Sequence, residues 1–540
     1  MKQSYKDPIR AKQTSALHRF PFQHLFGLLS LLALLGIPEQ VLGEIRFAPI
    51  LNDGAVLQCE MPANIWGKAT PEAEIEVKLD GRAVAKSAAD SGGRWQVALP
   101  AQAPGGPHMM EVVAGSETAK LNDVWFGEVW LAGGQSNMQW PLAGSNRGEE
   151  FAQATIPEIR FVTVPFKVGL PVEKEFTSKE LAWQNFQPGA HHKISGVAFF
   201  FAQKLQPTVG RKIGIIQCPI GGTPCEAWTP LLTLESVPEL RPMAETIKQG
   251  MEKKTAAEWK AEADSYNAKN KVYAEWAKTR QGPEPEKPKA PQTDNPWFFQ
   301  SPSVLYANMV EPLVPYTTRG VIWYQGEANA GNPDQYRVLF PAMIEAWRTA
   351  WKRADWPFLF VQLSGFGKIQ PAGDWWPKLR AVQAWTRDTV PNTGMAVAID
   401  CGEKMDIHPK AKQPVGERLA LLALNQVYGQ NLTARSPLLK AAMGLPEGKV
   451  RVVFDHCAEG LKSSDGAAEI PGFELAGSDG KFQAASARIT AADTIELECP
   501  TVSNPTSVRY AWVSWPEPPL TLQNSAGLPA EPFSSVVAAQ

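Results

Sequence analysis

The sequence predicts an α/β fold, a doubly wound parallel sheet in the middle of the chain with an all-β unit on each side. Three observations predict it. Residues 44–123 and 435–540 carry short β-type runs separated by turn signals. Residues 124–434 instead carry near-continuous apolar runs spaced by helical segments, the pattern of strands covered on both faces. The length of 540 residues exceeds what one core organises, at roughly 100–200 residues per domain.

The first 43 residues read as an export leader. Lys2, Lys6, Arg10, Lys12 and Arg19 precede the apolar run Leu25–Ile37, and small Gly43 follows. That run is shorter than the roughly 20 residues needed to cross a bilayer. A cleaved leader is therefore expected, giving a secreted or periplasmic protein with no membrane association afterwards. A formal net charge of −2 offers no attraction to polyanions, so nucleic acid is not an expected partner. The six cysteines would enter an oxidising compartment, where Cys218–Cys225 and Cys457–Cys499 are candidate disulfides and buried free thiols the alternative. Their spacing matches no zinc pattern, and neither metal nor cofactor is expected.

In the first β unit the runs are Asn64–Lys68, Glu74–Leu79, Trp95–Leu99 and Met109–Val113. Asp80-Gly81 supplies the positive φ of a tight hairpin turn, and the unit reads as a small antiparallel sandwich. The central sheet draws on Val129–Ala132, Ile159–Val164, Ile213–Gln217, Gly320–Tyr324, Phe358–Leu363 and Met395–Ile399. Between them, Tyr336, Leu339, Phe340, Met343, Ile344 and Trp347 fall at helical spacing within Asp334–Lys352. An insertion at 231–300 holds an amphipathic helix through Trp259, Ala263, Tyr266, Tyr273 and Ala277, then a Pro- and charge-rich run, Gln281–Thr293. It reads as surface decoration, with a lid or subunit contact as the functional alternative. The last β unit uses Val450–Phe454, Phe473–Ala476, Thr494–Glu498 and Val508–Trp512.

In a doubly wound sheet the ligand site lies at the carboxyl ends of the strands, so the loops there carry the candidate chemistry. Gly133-Gly134-Gln135-Ser136-Asn137-Met138 follows the strand VWLA directly. A serine at such a turn exposes its hydroxyl at the strand end, although a Ser/Asn helix cap gives the same letters. A serine nucleophile needs a base, and imidazole is the side chain whose pKa suits the task. Of the seven histidines, His191, His192 and His408 lie in the sheet region. His191 and His192 read as a solvated loop, whereas His408 follows the last strand with Asp406 beside it. Asp406 would orient the imidazole; Asp400 and Glu403 compete for that position. Loops at Gly221-Gly222 and at Gln325–Asn329 could add donors to the Ser136 N–H for a carbonyl oxygen becoming negative.

The blocks VWLAGGQSNMQWPL, PIGGTPCEAW, WYQGEANA and DIHPKAKQPVGERLA, with the ending VRYAWVSWPEPPLTLQNSAGLPAEPF, resemble in order and spacing the sialate O-acetylesterase family of the SGNH hydrolase superfamily. The likeness runs from about residue 45 to 535. It implies an SGNH-type three-layer α/β domain that removes O-acetyl groups from carbohydrates without metal or cofactor. Carried over by position, Ser136 is the nucleophile and His408 the base with Asp406. Ser136, Gly222 and Gln325 form the oxyanion hole, and Gln135, Asn137 and Glu327 border the substrate. Two positions depart from the superfamily pattern: one residue, Ile407, separates acid from base where two are usual, and Gln325 stands where Asn is usual. Acetylated xylan or another polysaccharide is the alternative substrate to sialic acid. Two rivals of other classes stay open: a glycosidase pairing Glu327 with Asp400 or Asp406, and a sugar-binding protein with a dead site, for which the 19 Trp offer stacking faces.

Overall fold

The computed structural model describes residues 44–172, 175–367 and 374–539. The leader at 1–43 lies outside them. The central sheet is built on β1 (Glu117–Gly134), β2 (Ile156–Thr163), β3 (Gln184–Phe186), β4 (Ile213–Pro219), β5 (Gly320–Tyr324), β6 (Phe358–Val361) and β7 (Thr393–Ala396), in the spatial order β3-β2-β4-β1-β5-β6-β7. All neighbours are parallel except β3, which runs antiparallel to β2 at the edge. The expected α/β architecture is present, with a mixed sheet rather than a purely parallel one. Strands β4, β5, β6 and β7 are buried at every position, which is why they read as unbroken apolar runs.

Six helices matter here: α1 (Ser136–Gln139), α2 (Gly196–Val209), α3 (Ala256–Thr279), α4 (Pro333–Ala350), α5 (Trp375–Thr389) and α6 (Lys412–Gln426). Alternation along β1 sorts the layers. Trp130 packs edge-on against Phe201 of α2 and donates its indole N–H to Tyr428, just past α6, at 3.2 Å. Gly133, three residues on, faces Trp323 and Trp347 of α4.

The expected boundary near 124 falls inside a single strand. The first half of β1 pairs antiparallel with Gly105–Ala114, and its second half enters the parallel sheet between β4 and β5. One apolar core accordingly runs from Ile45 to Phe533. At the seam, fully buried Glu128 accepts from Arg319 at 2.7 and 3.0 Å, Arg211 at 3.1 Å, Tyr428 at 2.9 Å and Gln58 at 3.0 Å. The N-terminal hairpin turn is as expected, with positive φ at Asp80 and Gly81. The C-terminal region forms two four-stranded antiparallel sheets.

Of the two readings of the cysteines, the buried free thiol is the one present, and neither candidate disulfide forms. All six are free and buried; Cys218 lies against the Met309 carbonyl and Cys225 against the Met343 sulfur. In the insertion, α3 begins with a capping box in which Thr255 and Glu258 satisfy each other's backbone N–H groups. Only Trp259 and Ala263 of this helix are buried, and Gln281–Thr293 carries neither helix nor strand.

Candidate active site

The strand register brings the candidate loops together. Gly134 of β1 is level with Pro219 of β4 on one side and Tyr324 of β5 on the other. Residues 135–140, 220–224 and 325–329 therefore leave the sheet side by side. Gly134 has φ +131°, and a Cβ there would lie 2.1 Å from the Tyr324 carbonyl oxygen, so only glycine allows the chain to turn at this point. Ser136 then opens α1, partly exposed between buried Gln135 and Asn137. Gln135, the N-cap, makes no side-chain cap bond.

The Gly221 loop runs along the serine: a Cβ at Gly221 would stand 3.3 Å from that of Ser136. Its N–H donates to Gln139 Oε1 at 2.8 Å. Gly222 follows with φ +73°, and among the described residues neither its N–H nor that of Ser136 has a hydrogen-bond acceptor. Two backbone donors are thus left for a bound oxygen.

His408 lies against the same short helix. Its ring stacks on Trp140, centroids 5.1 Å apart and planes 15° from parallel, and Asn137 Nδ2 donates to the Ile407 carbonyl at 3.0 Å. The Ser136 hydroxyl and the His408 imidazole flank the same short helix without a direct hydrogen bond between them. Asp406 Oδ1 accepts the His408 backbone N–H at 2.9 Å and stands 3.5 Å from Nδ1. The competing acids are committed elsewhere. Asp400 is gripped by both Arg418 nitrogens at 2.6 Å, and Glu403 accepts the Lys410 N–H at 2.9 Å. Burial holds the His408 pKa below its ordinary 6.5; Asp406 opposes that shift and Lys412 reinforces it.

Four expected site residues are placed differently. Gln325 is fully buried, its carboxamide donating to Asn329 Oδ1 at 2.7 Å and to the Thr223 carbonyl at 3.3 Å, so it ties the two loops together. Gln135 accepts from the Gly326 and Ala328 N–H groups at 3.3 Å. Asn137, 1% exposed, donates to Glu327 Oε1 at 2.6 Å and to Ile407, and accepts from Lys412. Burial raises the Glu327 pKa, and its Oε2 has no partner. The hydrogen bonds of these side chains run along the rim and tie its loops together. His191, expected in a solvated loop, is buried against exposed His192, ring centroids 4.0 Å apart and planes tilted by 40°.

Lys412 is the residue the sequence reading missed. It is fully buried, hydrogen-bonded to Asn137, with its ammonium 5.9 Å from the Trp140 ring and 5.8 Å from that of Tyr324. Burial pushes its pKa down to about 8. A lysine in the run KAK after His408 carries no sequence signal of this, because lysines at helix starts are ordinarily solvated. Among the described residues, Cys59, Glu60 and Glu128 stand close enough to share a cation. Arg211 and Arg319 already supply the positive charge there, and burial raises the Cys59 thiol to about 11, so the group reads as an ion-pair network.

A family model described as carbohydrate esterase, sialic acid-specific acetylesterase, matches residues 293–425, which include the Gln325 and His408 loops. A solved carbohydrate acetylesterase from Xanthomonas citri superposes with a TM-score of 0.75 at 33% identity, over 91% of this chain and 99% of that one. Fold and site thus define a carbohydrate esterase. The sialate O-acetylesterase of Homo sapiens is 31% identical over 92% of this chain and 93% of its own length. That of Mus musculus is 31% identical over 90% and 94%. The chain belongs to the sialate O-acetylesterase family.

Proposed function

We propose that this protein is a serine acetylesterase of O-acetylated sugars, acting on O-acetyl sialic acid through an acetyl-enzyme. Ser136 Oγ attacks the ester carbonyl while His408 takes its proton. The Ser136 and Gly222 N–H groups hold the negative oxygen. The bond from the carbonyl carbon to the sugar oxygen breaks, and His408 returns the proton to the sugar hydroxyl. Water, activated by the same imidazole, then releases acetate. Asp406 orients the ring, and Gln325 acts indirectly by fixing the spacing of the Gly222 loop. The SGNH-type assignment of the sheet region and export directed by residues 1–43 complete the reading.

The observation that carries it is the level register of Gly134, Pro219 and Tyr324, with His408 stacked one turn from Ser136. The Xanthomonas citri protein is described as a carbohydrate acetylesterase with no particular sugar named, so acetylated xylan or another polysaccharide stands as the second substrate reading. Acetate release from O-acetyl sialic acid and from acetylated xylan, measured side by side, tests the choice. Faster turnover of xylan would replace the first reading by the second, and release from neither would defeat both.

Two predictions arise here. Because the base must be neutral, kcat/KM should rise with pH through the His408 pKa, with its midpoint below 6.5. A limb centred above 7, or a flat profile from pH 5 to 8, would argue against His408. Asp406→Asn should lower kcat/KM about 10²-fold, less than the ~10⁴ known for a buried acid in this role, because Asp406 is half exposed and 3.5 Å from the ring. Asp400→Asn should act on the thermal midpoint instead, since it releases buried Arg418.

A further inference from the structure

The 231–300 insertion has its own small core. Trp259 and Ala263 of α3 close on Trp297, with Val168 from the segment after β2 packed against them. The return of the insertion is fastened at several points. Asn295 donates to the Trp259 carbonyl at 3.3 Å and accepts the Trp297 N–H at 2.8 Å, and Ser303 N–H reaches the Glu226 carbonyl at 2.8 Å. Gly169 has φ +127°, and a Cβ there would touch the Trp297 ring at 2.9 Å, so the two segments meet without space for another side chain.

This fastening fixes what comes next in the chain. Phe298 is buried under Tyr266 of α3, edge to face at 5.9 Å, and Phe299 stacks edge-on against Phe298 at 5.0 Å. Phe299 is only partly buried, and beyond it Phe166 stands 49% exposed, ring centroids 6.4 Å apart. Gln300 Nε2 donates to the Gly222 carbonyl at 2.5 Å, and the Phe299 ring edge lies 3.9 Å from where a Gly222 Cβ would stand. Gly221 is the residue that runs along Ser136. The path from nucleophile to exposed aromatic face therefore runs from Ser136 along the Gly221-Gly222 turn to Phe299 and Phe166.

An exposed phenylalanine beside a site that handles sugars suits one occupant. The C–H face of a pyranose ring is apolar while its hydroxyls stay solvated, and a flat aromatic ring covers that face at little entropic cost. We propose that Phe299 and Phe166, whose planes stand 76° from parallel, form an aromatic platform on which the sugar ring of the substrate rests, its face on the Phe299 ring and its edge against Phe166, while its acetyl group enters the Ser136 site, and that the insertion exists to hold this platform. The proposal rests on the reading of Ser136 as nucleophile. Its two rings come from segments far apart in sequence, held together by the Trp259–Trp297 cluster.

The test is a specificity ratio: kcat/KM for the faster-cleaved of O-acetyl sialic acid and acetylated xylan, divided by kcat/KM for ethyl acetate, which has no ring to stack. Aromatic esters are unsuitable because they could use the platform themselves. In Phe299→Ala and in Phe166→Ala the ratio should fall about 10-fold, chiefly through KM for the sugar ester. Phe299→Leu keeps apolar bulk without a flat face and should stay low, whereas Phe299→Trp should restore the ratio. Near-ultraviolet circular dichroism checks that each variant is folded. An unchanged ratio in both alanine variants, or recovery with Leu, would overturn the platform. Ethyl acetate hydrolysis that survives Ser136→Ala would instead overturn the underlying site and leave the ratio result to be read by itself.

Discussion

Replacing Ser136 by Ala is expected to lower kcat/KM for the sugar ester by about 10⁴- to 10⁶-fold with little effect on the thermal midpoint. The magnitude follows from the division of labour at the rim. The alanine variant keeps both free N–H groups and every bond that stitches the loops, so what remains is the residual acceleration of an oxyanion site acting on water, roughly 10³-fold over the uncatalysed rate. Stability should hold because Ser136 is the first helical residue of α1, not its cap, and no side-chain cap bond is lost. His408→Ala should fall by a similar factor, and the double variant little further, since nucleophile and base act as one unit. Acetate release and labelling by an organophosphonate check this. A Ser136→Ala protein that keeps a tenth of its activity, or that still takes up the label, removes the esterase mechanism.

Much of this site could be read from the chain before any coordinates. Strand ends followed by Gly-Gly-Gln-Ser, Gly-Gly-Thr-Pro and Gln-Gly-Glu announce turns at one sheet edge because buried parallel strands are apolar throughout, and polar residues can begin only where the strand stops. The facing of individual side chains was not legible. Gln135, Asn137 and Glu327 have the polarity of substrate ligands, yet after Gly134 and the short α1 Asn137 bonds to Glu327 and Gln135 to the Gly326 and Ala328 N–H groups. Polar residues in a loop read alike whether they meet solvent, substrate or a neighbouring loop; only the register of the loops decides. The choice between paired and free cysteines was illegible for a related reason, since Cys218 lies within β4 and Cys225 opens a separate turn against α4. The boundary near 124 lies inside β1, which passes from one set of partners to the other close to that point without changing direction, and a change of partner leaves no mark on local propensity.

Lys412→Met is expected to lower kcat/KM about 10- to 100-fold while moving the rising limb of the pH profile upward. Lys412 is the sole charged donor to Asn137 Oδ1 among the described residues, and Asn137 in turn holds the Ile407 carbonyl next to His408. Methionine fills most of the space but donates nothing, leaving a buried carboxamide oxygen unsatisfied at a cost of about 1–3 kcal/mol. Loss of a desolvated ammonium offsets part of that cost, so folding should survive. The catalytic effect has a different origin. With Asn137 released, the His408 loop is no longer held to α1, and a displacement of ~1 Å between base and nucleophile is enough for a 10²-fold loss. The direction of the pH shift is fixed by sign. Lys412 lowers the His408 pKa, and removing that positive charge lets it rise, so the neutral base appears at higher pH. The Glu327 carboxyl, held down in part by the same lysine, should become still harder to ionise. A loss of activity with the limb unmoved would mean that Lys412 acts only through packing; a limb moved down would contradict the electrostatic account.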